Sequence, residues 1–146
     1  MKHIPVRLPQ GVRQLLAPFF PGFDLGRIRV YEGLPWYVLG KPVGYADRNN
    51  IYLADGEYSI DTIEGLSLIA HEITHCRQYN DHGTWRFRAL YLKAYFRNRW
   101  SGMSRKEAYL KIPFEIEARR IEARVGSALR KKRSQLSKLL MARKIR

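Results

Sequence analysis

Residues 59–79 read SIDTIEGLSLIAHEITHCRQY, and the reading of this stretch decides the fold. Ser59 or Asp61 can cap a helix, and Glu64 falls in the first turn, where the helix dipole favours a negative charge. Leu66, Ile69, Ala70, Ile73 and Cys76 recur at i, i+3, i+4, i+7 spacing and form one apolar stripe. Gly65 is the one weak helix former near the start. The pattern predicts a helix over 59–79. His71 and His75, four residues apart, share the opposite face with Leu68, Gln78 and Glu64. His71-Glu72-Ile73-Thr74-His75 is an H-E-x-x-H motif. Two imidazoles one turn apart can bind one metal ion, and Glu72 on the adjoining face can take a proton from a metal-bound water. Cys76 lies in the core stripe and reads as a small buried hydrophobe.

Upstream of this helix the period changes from 3.6 to 2. Arg27–Tyr31 alternates polar and apolar, Trp36–Leu39 is a second candidate strand, and Val43–Ala46 and Asn50–Ala54 follow, joined by the turn residues Asp47-Arg48-Asn49. Together they predict a small antiparallel sheet next to the motif helix. Residues 1–26 are rich in Pro and Gly; a short helix fits 12–20, and Phe19, Phe20 and Phe23 read as a lid on the core.

Downstream, Thr84 opens a helix to about Arg99, with Trp85, Phe87, Leu90, Tyr91, Ala94 and Tyr95 on its apolar side. Ser104-x-x-Glu107 is a capping box for a short helix to about Lys111. Pro113 suits the first position of a last helix with Phe114, Ala118, Ile121, Val125 and Leu129 as its stripe, frayed at Gly126. No acid follows Glu122. Arg124, Arg130, Lys131, Lys132, Arg133, Lys138, Arg143, Lys144 and Arg146 make a basic tail that keeps Leu136, Leu139, Leu140 and Ile145 at amphipathic spacing. The expected class is α+β, with the sheet packed on the motif helix and a C-terminal helical subdomain. Residues 1–126 read as one domain and 127–146 as a basic helical tail.

The 146-residue chain carries 27 Lys and Arg against 13 Asp and Glu, a formal net charge of +14. Such a surface attracts polyanions. One cysteine excludes an intrachain disulfide. No signal peptide and no stretch approaching 18 apolar residues is seen, so a cytoplasmic protein is expected.

A catalytic zinc takes three protein ligands and an open position. Glu115, Glu117 and His82 are the candidates for the third ligand; His3 has no evident partner. HEITH at 71–75, with Glu115-x-x-Ala118 in a helix opening Pro113-Phe114, resembles a minimal gluzincin, a zinc metallopeptidase domain. The resemblance is to small bacterial HExxH domains and covers roughly 28–125. IYLADGEYSIDTIEGLSLIAHEITHCRQY is similar to their strand-then-helix entry, and AYLKIPFEIEARRIEA to their third-ligand helix. It implies a zincin-like fold and one Zn²⁺ per chain, with His71, His75 and Glu115 as ligands and Glu72 as general base. The family often has an Asp four residues after the ligand Glu, orienting a ligand His; Arg119 stands there, leaving Glu122 or Glu64 for that task. Glu117 falls at a variable position of the family pattern. His82 is the rival ligand: metzincins use HExxHxxGxxH, which Gln78 and Asp81 do not satisfy, while SprT-like peptidases use a later His followed by Gly, as in His82-Gly83.

The expected function is peptide hydrolysis by a Glu-activated zinc-bound water. Tyr109 and His82 are candidates for a further donor to the oxyanion, and the strands at 43–54 could offer an edge to an extended peptide. The alternative is a module that binds nucleic acid, an anionic surface or an acidic partner through its basic tail, with an inactive or structural zincin core.

Overall fold

The computed structural model describes residues 4–144; His3, Ile145 and Arg146 lie outside them. The described residues form an α+β structure: a mixed four-stranded sheet and five α-helices. The strands are β1 (Val6–Arg7), β2 (Arg29–Glu32), β3 (Gly44–Asp47) and β4 (Asn50–Leu53). The helices are α1 (Gln10–Leu16), α2 (Ile63–His82), α3 (Thr84–Trp100), α4 (Arg105–Leu110) and α5 (Pro113–Lys144).

The sheet order is β1-β2-β4-β3, and it departs from the antiparallel meander expected. β1/β2 and β3/β4 are antiparallel, but β2/β4 is parallel, with Val30 opposite Ile51. Burial explains the order. Val30, Ile51 and Leu53 are at most 2% exposed, so β2 and β4 take the centre. β3 begins with Gly44, which has no side chain to bury, and takes an edge. The two-residue β1 comes from the Pro/Gly-rich segment, where no strand was expected; Pro5 and Pro9 flank it, which an edge strand tolerates. Trp36–Leu39 is not a strand. Pro35 and Pro42 lack ladder donors, the Pro35 carbonyl accepts the Val38 N–H in a turn, and Trp36 and Leu39 stand 94% and 90% exposed.

Helix α2 starts later and ends later than its sequence pattern suggests. Its cap is Thr62, whose Oγ1 accepts the Gly65 N–H at 3.0 Å, and not Ser59 or Asp61. Ser59 instead accepts the Thr62 hydroxyl. Gly65 is required here: a Cβ would overlap the Ser59 carbonyl. The helix runs to His82 and stops at Gly83, whose φ of 80° is left-handed and whose N–H bonds Tyr79 O. Leu66, Ile69, Ala70, Ile73 and Cys76 are all buried, as the stripe requires. They pack with Leu16, Phe20, Ile28, Val30, Ile51, Leu53, Ile121 and Val125 in one core. Phe20 is buried, with Phe19 and Phe23 against it. Ile73→Ala, at the fully buried centre, should lower unfolding free energy by about 2–5 kcal/mol, read from urea melts.

The opposite face of α2 is also covered. His71 and His75 are 8% and 7% exposed, so they sit in an interior between α2, α3 and α5, not on a solvated face. Helix α3 is less deeply packed than its composition suggests: Phe87 and Ala94 are buried, but Trp85 is 79% exposed. The capping box at Ser104 and Glu107 is formed in both directions. α5 does not fray at Gly126. It continues through the expected 126/127 boundary, and Gly126 marks close passage over Ser67 of α2. Residues 131–142 of α5 are exposed throughout. Among the described residues no helix is long and apolar enough to cross a membrane.

Candidate metal centre

The antiparallel run of α5 over α2 sets Phe114 by Gln78, Glu122 by His71 and Gly126 by Ser67, and it brings Glu115 to the histidine pair. One ligand atom from each of His71, His75 and Glu115 lies within 4.8 Å of the other two. The imidazole Nε2 atoms are 3.2 Å apart. Glu115 Oε2 is 3.4 Å from His71 Nε2, and Oε1 is 3.3 Å from His75 Nε2. His82 is not in this group. It stands exposed on the last turn of α2, its ring 5.2 Å from that of Phe114.

The outer nitrogens of both rings are engaged. His71 Nδ1–H donates to Glu122 Oε2 at 2.9 Å, so Glu122, and not residue 119, makes the contact expected of an orienting Asp. Glu64 is exposed at the start of α2 and takes no such part. His75 Nδ1 is 2.8 Å from Gln78 Oε1. Arg119 donates to the Leu110 carbonyl and lies 3.9 Å from Glu115 Oε2, adding a cation beside the carboxylate. Glu117 turns away from the centre to pair with Arg77.

These contacts set the charges. Burial works against ionised Glu115, but the imidazoles of His71 and His75, 3.4 and 3.3 Å from its oxygens, outweigh it and hold the carboxyl below its usual range. Burial also opposes charge on His71, and Glu115 and Glu122 outweigh it, raising the imidazole to about 10. In the metal-free protein a proton therefore occupies the cluster. Glu72, 4% exposed, is raised by burial, only partly offset by the two histidines.

The cluster fits a divalent metal. Glu115 Oε2 is buried and has no hydrogen-bond partner. Two imidazoles and one carboxylate are a donor set that catalytic zinc takes.

The centre opens into a cleft of about 550 Å³. One wall is β3 and the loop before it, through Tyr37, Leu39, Gly44 and Tyr45; the other is α3, through Phe87, Arg88 and Tyr91. Arg88 bridges the walls by donating to Asp47 Oδ1 at 2.8 Å. Glu72 reaches into the cleft beside Gly44. A Cβ on Gly44 would sit 2.9 Å from Glu72 Cδ, so any other residue there would push the carboxylate aside. Tyr109 lines the same cleft, and burial together with Glu115 keeps its phenol protonated.

Tyr91 is the neighbour that sequence reasoning misplaced. It reads as one more aromatic on the α3 stripe, yet its hydroxyl donates to Glu115 Oε1 at 2.7 Å. Its spacing of four from Phe87 carries it to the cleft side, where a half-buried phenol needs a partner. Tyr91→Phe is expected to weaken zinc binding about 10-fold, measured by competition with a chromophoric chelator, with little change in helix content.

A protein-family model described as the eCIS core domain matches residues 7–83, just over half of the 146-residue chain. No curated protein and no solved structure matches the chain. The match spans the sheet and HEITH and ends before Glu115, and it is to this family and not to a gluzincin family. The chain belongs to the eCIS core domain family, eCIS standing for extracellular contractile injection system.

Proposed function

We propose that the chain is a zincin-like, gluzincin-type peptidase that holds one Zn²⁺ through His71, His75 and Glu115. The observation that carries the reading is the cluster itself: two imidazole Nε2 atoms 3.2 Å apart, facing a buried carboxylate with an unbonded oxygen, with Glu72 in the adjoining cleft. When bound, zinc would supply a Lewis acid that polarises a peptide carbonyl and brings the pKa of water from about 15.7 towards about 7.

The protein groups then have defined tasks. Glu72 takes a proton from the attacking water and passes it to the leaving amine. Burial raises its pKa above the usual carboxyl range, which makes it a stronger base than an exposed carboxylate. Tyr109, a protonated phenol on the cleft wall, is the donor for the developing oxyanion; His82 points elsewhere and is dropped from this role. Tyr91, Glu122 and Arg119 hold the ligand carboxylate and imidazole in place. The substrate is an extended peptide laid along β3. The Val43 carbonyl accepts from Ala54 N–H, so alternation turns the N–H and C=O of Gly44 and Ala46 to the open edge. The family's name suggests a contractile injection system as the setting.

The test is cleavage of an unstructured protein by the zinc-loaded chain. Cleavage should vanish on chelation and return with added zinc; cleavage indifferent to chelator would remove the metal from the reaction.

A second reading rests on the far half of α5. Arg130, Lys131, Lys132, Arg133 and Lys138 lie on it with no acid among them, and Leu136, Leu139 and Leu140 are 51–65% exposed beside them. This segment would bind a polyanion and bring the peptidase to it, or act alone if the core is inactive. Binding to nucleic acid that falls steeply with salt and disappears on deleting 127–146 would favour it.

A further inference from the structure

The side chain of Gln78 is 2% exposed, on the same helix as the histidine pair and three residues beyond His75. It touches three groups. One end lies 2.8 Å from His75 Nδ1. The other lies 2.8 Å from Glu117 Oε2 and 3.1 Å from the Phe114 carbonyl oxygen. An amide has a donating end and an accepting end, and these neighbours decide which is which. The Phe114 carbonyl and the Glu117 carboxylate only accept. The reverse orientation would set the amide oxygen against two other oxygens in a buried site and lose both hydrogen bonds. So the NH₂ faces Glu117 and Phe114, and Oε1 faces His75.

An amide oxygen only accepts, which makes His75 Nδ1 the donor. The hydrogen of neutral His75 therefore sits on Nδ1, and the Nε2 lone pair faces His71 and Glu115. That is the form of imidazole a metal needs. Glu117 is itself fixed, because Arg77 pairs with its other oxygen. The chain of contacts runs Arg77, Glu117, Gln78, His75, and its first two members come from α2 and α5.

We propose that Gln78, locked by Glu117 and the Phe114 carbonyl, is a positioning residue that sets the tautomer and the ring orientation of His75 for metal binding. It rests on the proposed zinc reading. It also gives Glu117 a task that its place outside the metal cluster does not suggest: the carboxylate polarises and aims an amide, and does not ligate.

Zinc affinity of the intact chain, by competition with a chelator, is the readout, with thermal unfolding followed in parallel. Gln78→Leu should weaken zinc about 10- to 100-fold. The exchanged pair Q78E/E117Q should recover part of that loss, the Phe114 carbonyl being left without its donor. The carboxylate placed at position 78 can still accept from His75 Nδ1–H, and the amide placed at position 117 can donate to that carboxylate, which restores the polarity of the relay. Q78E alone sets two carboxylates together and should not recover it. If the wild type binds no zinc, the metal reading fails and this inference with it. If the wild type binds zinc and Q78L loses thermal stability with unchanged zinc affinity, Gln78 only packs. If Q78L does not fold, the comparison of Q78E with Q78E/E117Q decides: equal zinc affinity in the two would overturn the relay.

Discussion

Glu72→Gln is expected to lower peptide hydrolysis about 10²–10⁴-fold while zinc stays at one per chain. Gln keeps the volume and shape of Glu but cannot accept a proton. The residue is 4% exposed and lies against Gly44 at the cleft wall. The same change should leave the fold intact and raise the stability of the metal-free protein. Burial lifts the Glu72 pKa above its usual 4.5, so at neutral pH the ionised carboxyl is a cost to the folded state, and a neutral amide removes it. Kinetics, metal content and a thermal melt on one preparation separate these effects. Unchanged turnover in the variant would take Glu72 out of the chemistry.

Zinc affinity should rise steeply with pH, because the metal displaces the proton held by His71. That imidazole is raised from 6.5 to about 10 in the metal-free protein, after Glu115 and Glu122 overcome the effect of burial. The sign follows from the linkage. A raised histidine contributes stability that is complete below about 6.5 and lost as pH climbs through about 10. Between these limits the metal-free protein should lose up to about 1.4 kcal/mol per pH unit from this group. Over the same window zinc must remove one proton, so its apparent affinity should gain about tenfold per unit, or about 30-fold from pH 6.5 to 8. With free zinc at about a thousand times its dissociation constant, the folded state gains about 4 kcal/mol, and the alkaline loss should disappear. Titration calorimetry in buffers of different ionisation enthalpy counts the released protons. Zinc binding that releases none would show that His71 holds no proton for the metal to displace.

Much of this site was legible before the fold was known, because it is written in short-range spacing. Four residues separate His71 from His75, and helix geometry alone puts them together. The Leu66–Cys76 stripe tells which way the helix faces the core, and all five of its residues are buried. Glu115 needed more: a resemblance to a helix opening Pro113-Phe114, since nothing local says that α5 crosses α2 at that turn. The parts that were not legible depend on partners far away in sequence. The parallel pairing of β2 with β4 arises from the burial of Val30, Ile51 and Leu53, which a strand-by-strand reading does not weigh. Trp36–Leu39 has strand-like residues, but the prolines on either side remove its ladder donors. Tyr91 and Gln78 look like a core aromatic and a polar neighbour until their bonds to Glu115 and His75 are seen. Gly65 looked like a flaw in a helix and proves to be the space that the Ser59 carbonyl needs.

The expected position of the zinc rests on three side chains, and one measurement addresses all of them. Anomalous diffraction at the zinc edge, from crystals grown with stoichiometric zinc, locates the ion directly. One anomalous peak bound by His71 Nε2, His75 Nε2 and the Glu115 carboxylate, open towards the cleft beside Glu72, is the predicted result. A peak at His82, or a full zinc site that leaves Glu115 unbound, would contradict the account.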